Sequence, residues 1–490
     1  MSTRLLERLL HHASTMPDAI AVRETGERGS RRTLTWRELR DASGLLARQL
    51  RDAHAAPVVL VSATNRVELL VTLLAGLWCD GSVMPVSPEL PAVQLRDLAA
   101  RAGASLAIGE AAVLDALAEC VPARMPLAAI EVQQRRVTGD LEVPGSNGSL
   151  LLLSSGTTGA PKLVRRRAEA LDAVGQSCSR AIGLGPGDAM LLAIPLHHSY
   201  GIDQGLLSAV MAGCRIELHD GFDLAQVRAS LRDDGVTILP AVPFLFDVLA
   251  RGATTAPSLR KAISAGSPLP SSVFEEFRRS VGVAIGQLYG STEFGSVTYS
   301  DPDDAEFAPG SVGRPLCGVT IRILDPNSPR LEQPLPAGQE GQVAVSAPSM
   351  LCEYLGEPDA PTRDGFFLTG DLGSLDAAGR LTLSGRTALL IDVAGRKVNP
   401  LEVEAALASH PRVAEVVVVP IPYSRTVGRM KAVIVATGSG ELREEELRSF
   451  LRERLAAYKI PRRFEFLAAL PRSPAGKILR GELCETEPRS

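Results

Sequence analysis

No single sign of charge dominates this sequence. Its 52 Lys+Arg stand against 56 Asp+Glu over 490 residues, a formal net charge of −4, whereas a nucleic-acid footprint needs a concentrated basic excess. Cysteine is sparse as well. Seven are scattered at Cys79, Cys120, Cys178, Cys214, Cys317, Cys352 and Cys484, with no CxxC and no Cys/His ligand spacing. An odd count on a long chain favours reduced thiols and a cytoplasmic setting over a disulfide framework. Long apolar runs are missing too. The most apolar early stretch, Pro57 to Val83, is interrupted by Asn65, Arg66, Glu68 and Asp80, so nothing reaches the about eighteen unbroken apolar residues of a membrane span. The opening MSTRLLERLLHHAS alternates apolar and charged residues and lacks an apolar h-region, so no signal peptide is expected.

What is present reads as a folded chain: 45% hydrophobic and 22% charged residues, with 44 Gly and 34 Pro in turn-like places and no collagen-like period. The length exceeds what one core usually supports, so two or more domains are expected. Short β-rich runs alternate with helical patterns. VVLVSA (58–63), SVMPVS (82–87) and SLAIG (105–109) read as strands around helices at 66–78 and 91–103. The alternation returns with AMLLAIP (189–195), a helix near 202–212, CRIEL (214–218), FDLAQVRASLRDD (222–234) and VTILP (236–240). Such alternation argues for parallel sheets covered by helices, as a barrel or as open sheets. From about Gly310, VTIRILD, GQVAVSA, FFLTGDLGSLD and GRLTLSGR suggest an antiparallel β subdomain. Beyond Gly385 a compact α+β unit follows: helix VNPLEVEAALASH, strands VAEVVVVP and KAVIVAT, helix REEELRSFLRERLAAYK and strand FEFLAAL.

The sharpest local signal is LLLSSGTTGAPK (151–162), a hydrophobic strand running into Ser154, Ser155, Gly156, Thr157, Thr158 and Gly159, then Pro161 and Lys162. Glycines let backbone N–H groups approach an anion, the hydroxyls add donors, and the lysine adds charge. A Walker loop needs Gly five residues after the first Gly, then Lys and Ser/Thr. Here Pro161 takes the Gly position and Leu163 follows Lys162, so that reading fails.

SSGTTGAPK resembles the phosphate loop of the adenylate-forming superfamily, which groups acyl- and aryl-CoA synthetases, peptide-synthetase adenylation domains and firefly-type luciferases. Further blocks follow in the family's order over roughly residues 15 to 480. SAGSPLP, with Ser264, Ala265, Gly266 and Ser267, resembles the segment lining the adenine pocket. QLYGSTEFG resembles the next block: Tyr289, Gly290 and Ser291 beside the nucleotide, Thr292 on the α-phosphate and Glu293 holding Mg²⁺. FLTGDLG resembles a further block, with Asp371 where the family's aspartate accepts from the ribose hydroxyls. GRTALLIDVAGRKVNPLEVE resembles the hinge block, with Arg386 at a second ribose position and Lys397 facing the site in the thioester-forming arrangement. PRSPAGKILRGEL resembles the C-terminal block, with Lys477 at the position of the family's mobile catalytic lysine. PLHHSYG (195–201) resembles the block that gates the carboxylate pocket, giving His198 that role, with His197 where an aromatic is common.

The resemblance implies an α/β fold: a core at 1–385 of mostly parallel sheets covered by helices with a β subdomain at about 310–385, and a small mobile C-terminal α+β domain at 386–490. It also implies an ATP- and Mg²⁺-dependent ligase that adenylates a small-molecule carboxylic acid. The acyl group then passes to a phosphopantetheine thiol, on CoA or an acyl carrier protein, with no nucleic-acid partner and no membrane span. The acyl pocket is expected near His198–Gln204, Val242–Phe246, Ser264–Ser267 and Gly290–Phe294, and its phenylalanines suit an apolar fatty or aryl acid. The alternative is a free-standing amino-acid adenylating enzyme, whose substrate ammonium needs a carboxylate; Asp203 is the acid available. Two departures stand out. The hinge position aligns with Ala388, and a common Gly-Glu pair is Gly428-Arg429, forming with Arg425 and Lys431 a basic cluster suited to a phosphopantetheine carrier.

Overall fold

A computed structural model describes residues 3–26, 30–53, 56–132, 145, 147–154, 162–252, 254–326, 330–356, 362–386, 389, 391–393, 396–424, 427–438, 442–455, 457–472 and 478–484. The chain divides into two units, one of 1–321 with 345–367 and one of 322–344 with 368–490. In the larger unit the alternating runs resolve as open sheets rather than a barrel. The first sheet orders its strands Arg314–Pro315, Gly295–Ser300, Ile285–Ser291, Lys261–Ser264, Ile238–Ala241, Ala189–Leu192, Arg215–His219, Ile20–Thr25 and Arg31–Thr35. Its central members are parallel. The second sheet runs Glu353–Leu355, Lys162–Arg167, Ser149–Ser154, Ser82–Val86, Val58–Ser62, Leu106–Gly109 and Ala123–Pro126.

Hydrophobic burial arranges helices and sheets in five layers. Helix Val67–Trp78 lies between the two sheets, and all 12 of its residues are buried, which is why its sequence is apolar all round. Its core takes in Met190, Ile216 and Ile263 from the first sheet and Val59, Ile108 and Leu150 from the second. Helices Leu224–Asp233, Pro243–Ala250 and Ser271–Val281 cover the outer face of the first sheet through Val227, Phe246 and Phe277. Ala92–Ala102 and Ala111–Ala116 cover the second through Leu95 and Val113.

The segment expected as a helix near 202–212 is two pieces. A π-helical stretch occupies Gly201–Leu207 and an α-helical turn Ser208–Ala212. Wide turns of this kind cluster at functional sites.

The smaller unit contains antiparallel strands followed by the α+β segment. Phe366–Leu375 pairs antiparallel with Leu381–Arg386. Further on, Val413–Ser424 pairs antiparallel with Val427–Ala436, which takes Arg463–Phe466 in parallel. Helices Pro400–Ala408 and Glu444–Arg452 pack Val403, Leu407, Leu447 and Leu451 onto Val418 and Ile434. Asn399 caps the first by accepting from Leu401 N–H at 3.1 Å, with Pro400 at the first helical position. The second is shorter than REEELRSFLRERLAAYK suggests. The chain leaves it after Arg452 and turns at Ala457–Lys459, where Lys459 bonds both oxygens of Glu402 at 2.6 Å and Ile460 reaches the core.

Candidate active site

Parallel strands release ligand-binding segments at their carboxyl ends. Here Ala189–Leu192 leads into PLHHSYG, Ile238–Ala241 into Val242–Phe246, Lys261–Ser264 into SAGSPLP, and Ile285–Ser291 into Thr292 and Glu293. The physical reason is the one-way direction of the four strands, which puts all four exits at the same end of the sheet.

The phosphate-loop segment leaves the second sheet at Ser154 and returns at Lys162, and these two residues are register partners in an antiparallel pair. Lys162 therefore opens a strand rather than a helix, the opposite of a Walker loop. Residues 155–161, with Ser155, Gly156, Thr157, Thr158 and Gly159, lie outside the described residues. Next to the returning strand runs Glu353–Leu355, with Tyr354 opposite Val164. The Lys162 ammonium sits 4.7 Å from the centre of the Tyr354 ring. The Tyr354 hydroxyl donates to Glu293 Oε1 at 3.2 Å, and Leu351 N–H donates to the Glu293 carbonyl at 2.6 Å. Tyr354 thus bridges the lysine and the carboxylate. It was not among the residues singled out in the sequence, because MLCEYL is a short edge strand with no phosphate-binding look.

Thr292 meets the histidine segment directly, its Oγ1 lying 3.3 Å from Ser199 Oγ. Asn65 braces that segment from the second sheet. Its side-chain amide donates to Ile194 O at 2.9 Å and accepts from Leu196 N–H at 2.7 Å. Asn65 looked like an interruption of an apolar run; its partners lie well over a hundred residues away, so no local pattern reveals them. Tyr200 anchors the far end, donating to Ile263 O at 2.8 Å.

His197 and His198 do not point apart as neighbours on an extended strand would. They sit in a turn with ring centroids 4.6 Å apart. Burial pushes His197 down to about 3, with His198 adding to the effect. Burial lowers His198 as well, although its surface remains open to solvent. The pair is uncharged at neutral pH, which leaves it hydrogen-bonding rather than ion-pairing chemistry toward a carboxylate.

In the adenine-pocket segment, Ser264 is 1% exposed and its hydroxyl has no hydrogen-bond partner among the described residues. Ala265 is buried, Gly266 turns with φ +87, and Ser267 is exposed. Ser154 Oγ and His197 Nδ1 are also buried with no partner among the described residues. Orphaned polar atoms of this sort carry a desolvation cost of about 1–3 kcal/mol each unless a ligand meets them. Tyr289 is 7% exposed and packs on Phe294 at 5.7 Å. Gly290 is exposed, and Ser291 Oγ accepts from Glu293 N–H at 3.1 Å. Gly290 must be glycine: an added Cβ would lie 2.4 Å from Gly295 O.

In the smaller unit Asp371 and Arg386 are register partners on adjacent strands, ion-paired through Arg386 Nε. Asp371 is 5% exposed. Beside them Asn399 donates to Ser384 O at 2.6 Å. Lys477 lies outside the described residues, as do Ala388 and the side chain of Lys397. The flanks of Lys477 are held. Arg472 bridges Ile478, Leu479 N–H donates to Pro471 O at 2.9 Å, and Arg480 forks onto Glu404 at 2.6 and 2.8 Å. Of the expected basic cluster, one member is already engaged. Lys431 is 5% exposed and bonds Glu465 at 2.7 Å, and Arg425 lies outside the described residues. Asp203, the acid considered for an amino substrate, is closed onto Arg166 at 2.9 Å in the interior.

The sequence profile of the AMP-binding enzymes matches residues 9–355, and that of the AMP-binding enzyme C-terminal domain matches 402–477. The chain belongs to the AMP-binding enzymes. It is 30% identical to a feruloyl-CoA synthase of Amycolatopsis sp, covering 97% of each chain. It is also 30% identical to the fatty acid–[acyl-carrier-protein] ligase ScoC of Streptomyces coeruleorubidus, over 98% of this chain and 95% of that one. Among solved structures it matches O-succinylbenzoate coenzyme A synthetase (MenE) of Bacillus subtilis in complex with ATP and magnesium ion. That match has TM-score 0.85 and 27% identity over 99% of both chains.

The donor set of this AMP-binding enzyme fits a magnesium nucleotide. Mg²⁺ prefers one or two carboxylates together with substrate phosphates. Glu293 is half-exposed and in no ion pair among the described residues, and it stands next to Thr292 with orphaned hydroxyls on neighbouring segments. No group of three or more His, Cys, Asp or Glu among the described residues is placed to hold a metal by itself. No helix among them is long and apolar enough to cross a membrane.

Proposed function

We propose that this AMP-forming acid–thiol ligase activates an apolar fatty or aryl acid and passes it to a phosphopantetheine thiol, on CoA or an acyl carrier protein. In the first step a carboxylate oxygen bonds to the α-phosphorus of ATP while the bond to the β-phosphate bridge breaks and pyrophosphate leaves. In the second the thiol sulfur, having given up its proton, bonds to the acyl carbon and AMP leaves. Two anions must meet in the first step, so positioning and positive charge do most of the work. Ser154, Ser155, Gly156, Thr157, Thr158, Gly159 and Lys162 cradle the phosphates in this reading. Ser264 to Ser267, Tyr289, Gly290 and Ser291 bound the base; Asp371 and Arg386 take the ribose; Thr292 meets the α-phosphate and His198 gates the carboxylate. Mg²⁺, held by Glu293, supplies charge against the phosphates. Lys477 brings an ammonium to the developing charge. A cation about 4 Å away contributes roughly 4 kcal/mol at an effective dielectric near 20, about a thousandfold in rate. A boundary at 385/386, rotation there, and Lys397 facing the site for the second step belong to the same proposal.

The observation that carries it is the convergence of Lys162, Tyr354, Glu293, Thr292 and Ser199 at the strand exits. The apolar preference is supported by Phe222 and Phe244, 41% and 46% exposed with rings 6.4 Å apart, each just beyond a strand exit. The amino-acid reading loses support because Asp203 is already engaged. Carboxylate-dependent ATP–pyrophosphate exchange across fatty, aryl and amino acids tests the proposal, followed by thioester formation with CoA and with a holo carrier protein. Exchange with a fatty or aryl acid is expected; exchange with amino acids alone overturns it.

A further inference from the structure

The run Arg165-Arg166-Arg167 looks like a solvated basic face, yet alternation along the strand separates its members. Arg165 pairs with Glu353 at 2.9 Å and Arg167 is exposed, whereas the Arg166 side chain is 0% exposed. Its Nη1 donates to both oxygens of Asp203, at 2.9 and 3.1 Å, and the Asp203 side chain is 2% exposed. Each partner belongs to a different site segment. Arg166 is four residues past Lys162 on the strand returning from the phosphate loop. Asp203 lies in the π-helical stretch that continues PLHHSYG. A third segment closes on the pair: Gly295, two residues past Glu293, has φ +68, and a Cβ there would lie 2.9 Å from Arg166 Nη2 and 3.3 Å from Asp203 Oδ2. Gln204 adds a link, its amide donating to Ser296 Oγ at 3.4 Å.

Stability alone is a poor account of this pair. Removing two charges from water costs more than their attraction commonly returns, and apolar residues of similar volume often hold a core as well or better. Arg166 Nε and Nη2 and Gln204 Oε1 are buried with no hydrogen-bond partner among the described residues, so the network is incompletely satisfied there. Burial also raises the Asp203 carboxyl's pKa despite the guanidinium beside it. What an ion pair has and an apolar contact lacks is direction. We propose that Arg166 and Asp203 are positioning residues that lock the segments carrying Lys162, His198 and Thr292–Glu293 in one register for adenylation. The inference rests on the ligase reading above.

Two variants separate positioning from folding: the apolar double variant Arg166→Met/Asp203→Leu, and the single Asp203→Asn, which keeps the hydrogen bond but strands the guanidinium charge. Each is compared with the wild-type chain by thermal midpoint and by kcat and KM in ATP–pyrophosphate exchange. The double variant is expected to melt at or above the wild-type midpoint while exchange kcat falls about ten- to a hundredfold, the scale of a misplacement near 1 Å. Asp203→Asn is expected to melt lower yet, assayed well below its midpoint, to keep exchange within about threefold. Exchange in a folded double variant within threefold of wild type overturns the inference. If the double variant does not fold, Asp203→Asn decides: exchange lost in its folded state overturns the inference, and exchange retained supports it. Absence of exchange from the wild-type chain with every acid overturns the ligase reading and this inference with it.

Discussion

The two regions proposed to bear the chemistry are held in opposite ways. Around Thr292, Glu293 and the histidine turn the braces are buried: Asn65 is 3% exposed, and the Arg166–Asp203 side chains are 0% and 2% exposed. Around the Lys477 segment they are ion pairs at its base, Arg480–Glu404 with side chains 25% and 13% exposed and Arg472–Glu415 at 33% and 39%. Water and salt weaken the second kind and hardly reach the first. The proposed division of labour, a fixed cradle and a mobile lysine, suits this contrast: dry, directional bonds where geometry must persist, and wet bonds at the base of the Lys477 segment.

Lys477→Ala should show the largest effect. Exchange is expected to fall about a thousandfold, about 4 kcal/mol, while thioester formation from preformed acyl-adenylate persists; equal loss of both half-reactions would mean the lysine is structural. Next is Arg166→Met alone, which leaves the Asp203 charge buried and unpaired. A loss of about 3 kcal/mol or more in denaturant unfolding is expected. A loss below about 1 kcal/mol would erase the contrast between the dry and wet braces. His197 comes third. Its folded pKa is pushed down to about 3, so the native state binds fewer protons than the unfolded chain and stability declines as pH drops below about 6.5. Going from pH 7 to 5.5 costs about 1 kcal/mol from this residue, and His197→Phe should remove that increment from the pH dependence of the thermal midpoint. An unchanged slope would mean the imidazole is not held neutral. Smallest is Arg480→Gln, for which about 1 kcal/mol or less is expected, shrinking further in 1 M salt. A salt-independent loss of several kcal/mol would show the tail's base to be as dry as the cradle.

The elements of the larger unit were legible because buried strands and helices write their periods into local sequence: helix Val67–Trp78 sits within a residue of its expected span. The split at 201–212 was not, since a seven-residue π-helical stretch beside a five-residue α-helix is too short to write a period of its own into the sequence. The site divides likewise. Thr292, Glu293, Lys162 and Asp371 stand in contiguous motifs and could be named from them. Tyr354, Ser199, Asn65 and Arg166 could not, because the partner of each is distant in sequence. Asp203 was visible only as an acid near the right segment, and its partner changed its meaning.

Sequence alone determined the class of fold, the order of the motifs and the absence of a Walker loop, since each follows from a few neighbouring residues and the conformations open to them. Tertiary structure alone decided that the middle arginine of a basic run lies in the core, that the two histidines stay uncharged, and that a tyrosine on an edge strand joins lysine to carboxylate. The reason is physical: burial sets the strength of a charge and the value of a hydrogen bond, and burial is a property of the packed chain, not of any segment of it.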